Sequence, residues 1–307
     1  MARDIHPSAL IGKGVELGED VHIGPQCIIG DGTIVADGTR IGPQATIGEG
    51  VVIGAFNEFG PKLHIADLVR IGDHNKIFGQ ASLGTAPQDL SYQGEPTRLE
   101  LGSHNTIREF VTINRGTIKG GGYTRVGSHC LLMACSHVAH DCEIHDHVIL
   151  GNNVLLAGHV KVEERANVAG AAAAHHFVTV GTHAYVGGVT RMVQDVPPYM
   201  ILEGHRPRVR GVNIIGLKRA GVPDSSVHAL REVYKDVYRP RDKNQPKRAL
   251  IDQVASEFGG DAFVDYFVES LRKTELGPKG RFRETLREQF TFEGRRGILG
   301  EGEDTKS

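Results

Sequence analysis

Tryptophan is missing from this 307-residue chain, and aromatic residues make up only 6% of it. A domain packed around large rings is therefore excluded, and any core must be thin and aliphatic. Neither sign of charge is in excess: 35 basic against 37 acidic side chains leave a formal net charge of −2. That balance gives no electrostatic footprint for nucleic acid or an anionic membrane surface. No stretch approaches the ~18 apolar residues of a membrane span, so no membrane insertion is expected. The opening MARDIHPSALIG lacks both the basic and the apolar region of a secretory signal. Four cysteines are too few for a disulfide framework; reduced thiols in a cytoplasm are expected.

What is plentiful is glycine, 40 residues, together with an apolar residue at every sixth position. Ile5, Ile11, Leu17, Ile23, Ile29, Val35, Ile41, Ile47 and Ile53 lead through Phe59, Ile65, Ile71 and Ile77 to Leu83 without a slip. The register resumes at Leu101, Ile107 and Ile113 and then, phase-shifted, runs from Val126 to Met192. Four residues after the apolar position stands mostly a small or β-branched residue, such as Ala9, Val15, Cys27 or Thr33. A helix would need apolar spacings of three and four, which these segments lack. The pattern is that of hexapeptide repeats: each forms a short strand and a turn, and three form one triangular coil. Coils should stack at the inter-strand spacing of ~4.8 Å.

The expected fold is an all-β solenoid plus α. A parallel β-helix over 1–198 carries inserted loops at 85–98 and 114–125, and a C-terminal α-helical domain follows over 199–307. Two prolines in Gln194–Tyr199 cannot continue a ladder. Beyond them VPDSSVHALREVYKDVY has helical spacing, with Pro223 and Asp224 suited to a helix start. Residues 248–273 and 281–290 read as further amphipathic helices, and GILGEGEDTKS reads as a frayed tail. The helices would cap the last coil.

Loops inserted into a strict repeat cost ordering entropy without extending the core, which marks them as binding elements. Between them and the end of the solenoid lies CSHVAHDCEIHDHVIL, residues 135–150. In register, Cys27, Cys130 and Cys142 fall on inward positions, which argues against a thiol nucleophile. His140 lies at a corner; one coil on is Gly158, and one further is His176. His137, His159 and His175 flank this column, so five imidazoles converge on one edge. A metal site is one reading, since zinc-bearing hexapeptide solenoids similar to carbonic anhydrases exist, but H-x-x-H at 137–140 lacks a third ligand at fixed spacing. Proton transfer is the other: a neutral imidazole suits a general base near pH 7. Asp141 would orient it, and the Gly158 N–H would be available to an oxyanion. That set suits direct acyl transfer to a hydroxyl or amine.

QDLSYQGEPT at 88–97, IREFVTINRGT at 107–117, HVAHDC at 137–142, AGHV at 157–160, QDVPPY at 194–199 and GVNIIGLKR at 211–219 carry a family resemblance. Over about residues 3–240 the chain resembles the acyl-carrier-protein–UDP-N-acetylglucosamine O-acyltransferases, which act first in lipid A biosynthesis. The resemblance implies a left-handed coil, a homotrimer with active sites between subunits, and no cofactor beyond the phosphopantetheine of acyl carrier protein. It implies His140 as general base, Asp141 as its orienting partner and Gly158 as oxyanion donor. Asp89, His137, His159, His175 and His176 would contact substrate, and Asn213 and Arg219 the nucleotide end. Gly188, Met192 and Arg206 would set acyl-chain length, glycine at 188 implying a long (R)-3-hydroxyacyl chain. A basic stretch, His205, Arg206, Arg208, Arg210, Lys218 and Arg219, would meet the acidic carrier protein. Ser91, Ile215 and Ala220 stand where relatives carry lysine, an acid and arginine. An amine-bearing sugar acceptor is a second expectation. The related N-acyltransferase normally has a uridine-binding domain ahead of its solenoid, whereas here the hexads begin at Ile5. A non-catalytic trimeric scaffold is the expectation from another class.

Overall fold

The computed structural model describes residues 4–287. Among the described residues, strands of mostly two residues form three sheets of twelve, ten and nine strands, parallel except for the last pair of the first, one per face of a left-handed prism. Each strand pairs with the one a coil away, as in Ile5↔Ile23, Ile11↔Ile29 and Leu17↔Val35. The second residue of each pair points inward: Ile23, Ile41, Ile65 and Val138 are fully buried. Burying such a side chain contributes about 1.5–3 kcal/mol, so the ladder of aliphatics is what holds the coils together.

The corners are built from a repeated strain. One residue per corner takes a left-handed conformation, with Gly32, Gly38 and Gly50 supplying it without a Cβ penalty. Elsewhere a side chain occupies that conformation, as at Gln26, Lys62 and Asn153, at about 1–2 kcal/mol each. Many corners have a second device: an aspartate one coil on accepts the free corner N–H, as in Lys13 to Asp31 (2.7 Å), Glu19 to Asp37 (2.8 Å) and Ser128 to Asp146 (2.8 Å).

Both expected insertions leave the ladder intact. Ile71 pairs with Leu101 across the first, and Ile113 with Val138 across the second. The ladder, however, runs past residue 198. Val196 bridges Val180, and Met200–Glu203 pairs with Tyr185–Val186 before turning antiparallel against Arg208–Val212. Pro197 and Pro198 fall between these two pairings, so their missing donors break no ladder bond.

Among the described residues four α-helices follow: α1 (Ile214–Arg219), α2 (Asp224–Tyr238), α3 (Lys247–Phe258) and α4 (Ala262–Leu276). The single helix expected over 248–273 is two. Gly260 takes φ 98°, and the Asp261 side chain caps the N–H groups of Phe263 and Val264. Val227, Leu230, Val233 and Phe267 pack with Tyr199, Met200 and Val212, closing the prism's open end. Residues 281–290 were expected to be helical; Phe282–Leu286 is a short 3₁₀ turn, and 288–290, like GILGEGEDTKS, lie outside the described residues. Among the described residues no helix is long and apolar enough to cross a membrane.

Candidate active site

After the inward Val138 the chain turns a corner, and the left-handed residue there is Asp141, φ 62°. Its carboxylate is almost fully buried and saturated with donors. Thr117 donates its backbone N–H (2.6 Å) and its hydroxyl (2.7 Å), and His140 presents Nδ1 at 2.7 Å. Asp141 is fixed from the other side by its own N–H, which donates to Thr124 Oγ1 at 2.8 Å. Thr117 and Thr124 come from the second inserted loop, which closes so tightly here that a Cβ on Gly120 would collide with the Asp141 carboxyl. An ionised Asp141 assigns the His140 proton to Nδ1 and leaves Nε2 as the basic atom.

One coil on, the usual aspartate cap is missing. The position that would cap the Gly158 N–H holds His176, and among the described residues that N–H donates to no acceptor. Gly158 also lies against the imidazole: a Cβ there would be 2.6–2.8 Å from Cε1 and Nε2 of His140. A buried base and an unsatisfied donor thus meet across one corner.

His159 takes the next left-handed corner (φ 62°) and stacks on Phe177 at 4.5 Å. Burial, opposed by nearby Asp141, lowers its pKa to about 4. His176 is likewise lowered by burial, then by His175. His140, His159, His175 and His176 line one cleft of about 460 Å³. The first loop adds Asp89 and Leu90, and the second adds Lys119. Asp89 is held below the usual carboxylate range, chiefly by the Ser91 N–H at 2.8 Å. Lys119 Nζ donates to Ser91 Oγ at 2.6 Å, tying the two loops together. His137 does not line this cleft. It faces outward beside it, its Nδ1 2.8 Å from Thr112 Oγ1, and burial lowers its pKa.

Burial raises the thiol of Cys27 as well as those of Cys130 and Cys142, the latter two to about 11 and about 12, so these remain protonated and inward. Among the described residues His140, Asp141 and His159 could together hold a metal ion, their ligand atoms lying within 4.8 Å of one another. Such an ion would have to displace the hydrogen bonds that already fill Asp141.

The remaining expected site residues lie apart from the cleft of a single chain. Asn213 caps α1, accepting from Gly216 N–H at 3.1 Å and donating to His183 O at 2.9 Å. Arg219, Gly188 and Arg206 are exposed, whereas Met192 is fully buried in the prism. Thr117, Thr124, Lys119, Leu90, Phe177, Glu284 and Arg287 join the site without being among the residues expected there. The RGT in NRGT and the glycines after it were the signal for the two threonines; nothing in the local sequence marks Glu284 or Arg287.

The model described as UDP N-acetylglucosamine O-acyltransferase, domain 2, matches residues 195–279, and bacterial transferase hexapeptide repeats match 8–43 and 123–158. An acyl-[acyl-carrier-protein]–UDP-N-acetylglucosamine O-acyltransferase of Anaeromyxobacter sp. (strain Fw109-5) is 43% identical over 203 residues, 66% of this chain and 78% of that protein. The UDP-N-acetylglucosamine acyltransferase of Francisella novicida superimposes with a TM-score of 0.74 at 33% identity, covering 87% of this chain and 91% of its own. The Moraxella catarrhalis UDP-N-acetylglucosamine O-acyltransferase gives 0.73 at 32% identity, covering 86% and 95%.

Proposed function

We propose how catalysis proceeds from the premise that the chain belongs to the acyl-carrier-protein–UDP-N-acetylglucosamine O-acyltransferase family. It transfers an acyl chain from acyl carrier protein to UDP-N-acetylglucosamine in lipid A biosynthesis. The observation that carries the mechanism is the His140–Asp141 pair packed against Gly158, whose N–H donates to no acceptor among the described residues.

His140 Nε2 takes the proton of the glucosamine 3-hydroxyl as its oxygen bonds to the thioester carbon. The carbonyl becomes an oxyanion, which accepts from Gly158 N–H, while Asp141 stabilises the imidazolium. Collapse breaks the C–S bond, and the imidazolium returns its proton to the departing phosphopantetheine sulfur. No enzyme-bound acyl group forms, and no cofactor beyond the donor's own arm takes part. Base catalysis of this kind contributes roughly 10²–10⁴-fold in rate.

Asp89, His159, His175 and His176 contact substrate in the cleft, with His137 at its edge. A homotrimer would bring Asn213, Arg219 and the exposed Gly188 and Arg206 to a neighbour's cleft, whereas Met192, buried inside the prism, could reach no acyl chain there. Outward Leu10, Ile28 and Leu155 on one sheet support such an association, being exposed apolar side chains on a single face. The exposed hairpin around Arg206 and Arg208 suits an acidic carrier protein. The test is transfer from 3-hydroxyacyl carrier proteins of several lengths, with Gly188→Met expected to shift preference to shorter donors. Unchanged length selectivity would remove Gly188 from the groove floor. The metal reading predicts that chelators abolish transfer; the base reading predicts that they do not.

A further inference from the structure

The segment from Arg281 to Arg287 starts just past the family match, which ends at residue 279, and is fastened across the solenoid by buried charges. Arg281, 5% exposed, donates to Val193 O (2.9 Å) and, through Nη2, to Glu284 Oε2 (2.6 Å). The Asp195 carboxylate accepts from Thr179 N–H (2.8 Å) and Phe282 N–H (2.9 Å), while Asp195 N–H donates to Gly280 O (2.8 Å). Arg283, 9% exposed, donates to Glu143 Oε1 (2.8 Å) and to the carbonyl of His159 (3.2 Å), one residue from Gly158. So fastened, the strap contributes Glu284 and Arg287 to the wall of the cleft that holds His140.

The charges of that wall are few. Burial disfavours the charged form of His159 and His176, the charge of Glu284 is matched by Arg281, and Asp89, held below the usual carboxylate range by its Ser91 hydrogen bonds, is the other anion of the wall, with Lys119 close to it. Lys119 and Arg287 are the lysine and arginine lining the cleft, one delivered by the second inserted loop and the other by the strap. Both substrates of the proposed reaction carry phosphate esters, the diphosphate of the sugar nucleotide and the phosphodiester of the pantetheine arm. Arginine and lysine are the side chains that bind such groups.

We infer that Arg287 and Lys119 form a two-sided cradle for a phosphate ester of the substrate, with the strap as a built wall of the active site and Arg283 as its positioning residue. The inference rests on the acyltransferase reading for the identity of the ligand. Arg287→Gln and Lys119→Gln, made in the full chain, are measured by steady-state kinetics in each substrate at two salt concentrations. Calorimetric binding of UDP and of 4′-phosphopantetheine runs in parallel.

Each substitution should raise KM for one phosphate-bearing substrate about tenfold with little change in kcat, the size of one charge-assisted hydrogen bond. It should also flatten the salt dependence of that KM. An increase for the sugar nucleotide identifies the diphosphate; an increase for the acyl donor alone identifies the pantetheine arm. Arg283→Ala should reproduce the Arg287→Gln effect, and the double variant should add nothing further. Unchanged KM values and unchanged affinities for both probes would overturn the cradle. Were the wild type to transfer nothing, the acyltransferase reading would fall, and calorimetry alone would decide whether these two cations hold phosphate.

Discussion

At the scale of the residue, the site rests on Asp141. Its oxygens accept from the N–H and the hydroxyl of Thr117 and lie 2.7 Å from His140 Nδ1, so one carboxyl group ties the second loop to the imidazole. In Asp141→Asn an amide N–H₂ would face either a donor or the imidazole, and His140 would lose its orienting partner. We expect kcat to fall by roughly 10²–10⁴-fold while the coil stays folded, read from single-turnover rates beside circular dichroism. Gly158→Ala puts a methyl against the His140 ring and should cost comparable activity, and a shift of the His140 imidazole NMR resonances would register the displacement. His159 gives the pH prediction. Its folded pKa, about 4, lies below the ordinary 6.5, so the folded state resists taking up a proton there. The sign is therefore stability that is whole above 6.5 and lost as pH falls through about 4. His159→Phe should narrow the difference in melting temperature between neutral pH and about pH 4.5; an unchanged difference would count against a buried neutral imidazole. The places of His140, Gly158 and His159 on the prism could be read from residue numbers, because from Val126 to Met192 the repeat runs without a slip and converts sequence distance into position.

Elements explain what could not be read. The sequence marks both insertions, yet it does not say where they fold, because a loop obeys no repeat register. The second loop turns inward and completes the shell around Asp141 through Thr117 and Thr124. Thr117→Val should leave a buried carboxylate oxygen without its hydroxyl donor. The expected cost is about 1–3 kcal/mol in urea unfolding together with a fall in kcat; a loss of kcat without any loss of stability would mean that the hydroxyl acts on substrate instead. The helix boundary at Gly260–Asp261 was missed for a different reason. Apolar spacing on both sides is helical, and only the aspartate cap and the positive φ of Gly260 divide it. The strap from Arg281 is the least legible element. Its anchors, Glu143, His159, Val193 and Asp195, are separated from it by 87 to 140 residues of chain.

For the whole molecule, stability is nearly one-dimensional, each coil touching its neighbours. The last coil would present Met200, Val212 and Tyr199 to water without α2 and α4. A chain ending at 212 should therefore aggregate or lose its final coils, visible by size-exclusion chromatography and hydrogen exchange, and a well-behaved truncated prism would show that the helices are not a cap. Central to the account is that one imidazole, held by Asp141, moves the proton in acyl transfer. The direct test is mass-spectrometric detection of product from 3-hydroxyacyl carrier protein and UDP-N-acetylglucosamine, with wild type and His140→Ala compared after chelation. The account predicts a monoacylated sugar nucleotide from the chelated wild type and a loss of roughly 10²–10⁴-fold in the variant. Product formed equally by both, or abolished in the wild type by the chelator, would contradict it.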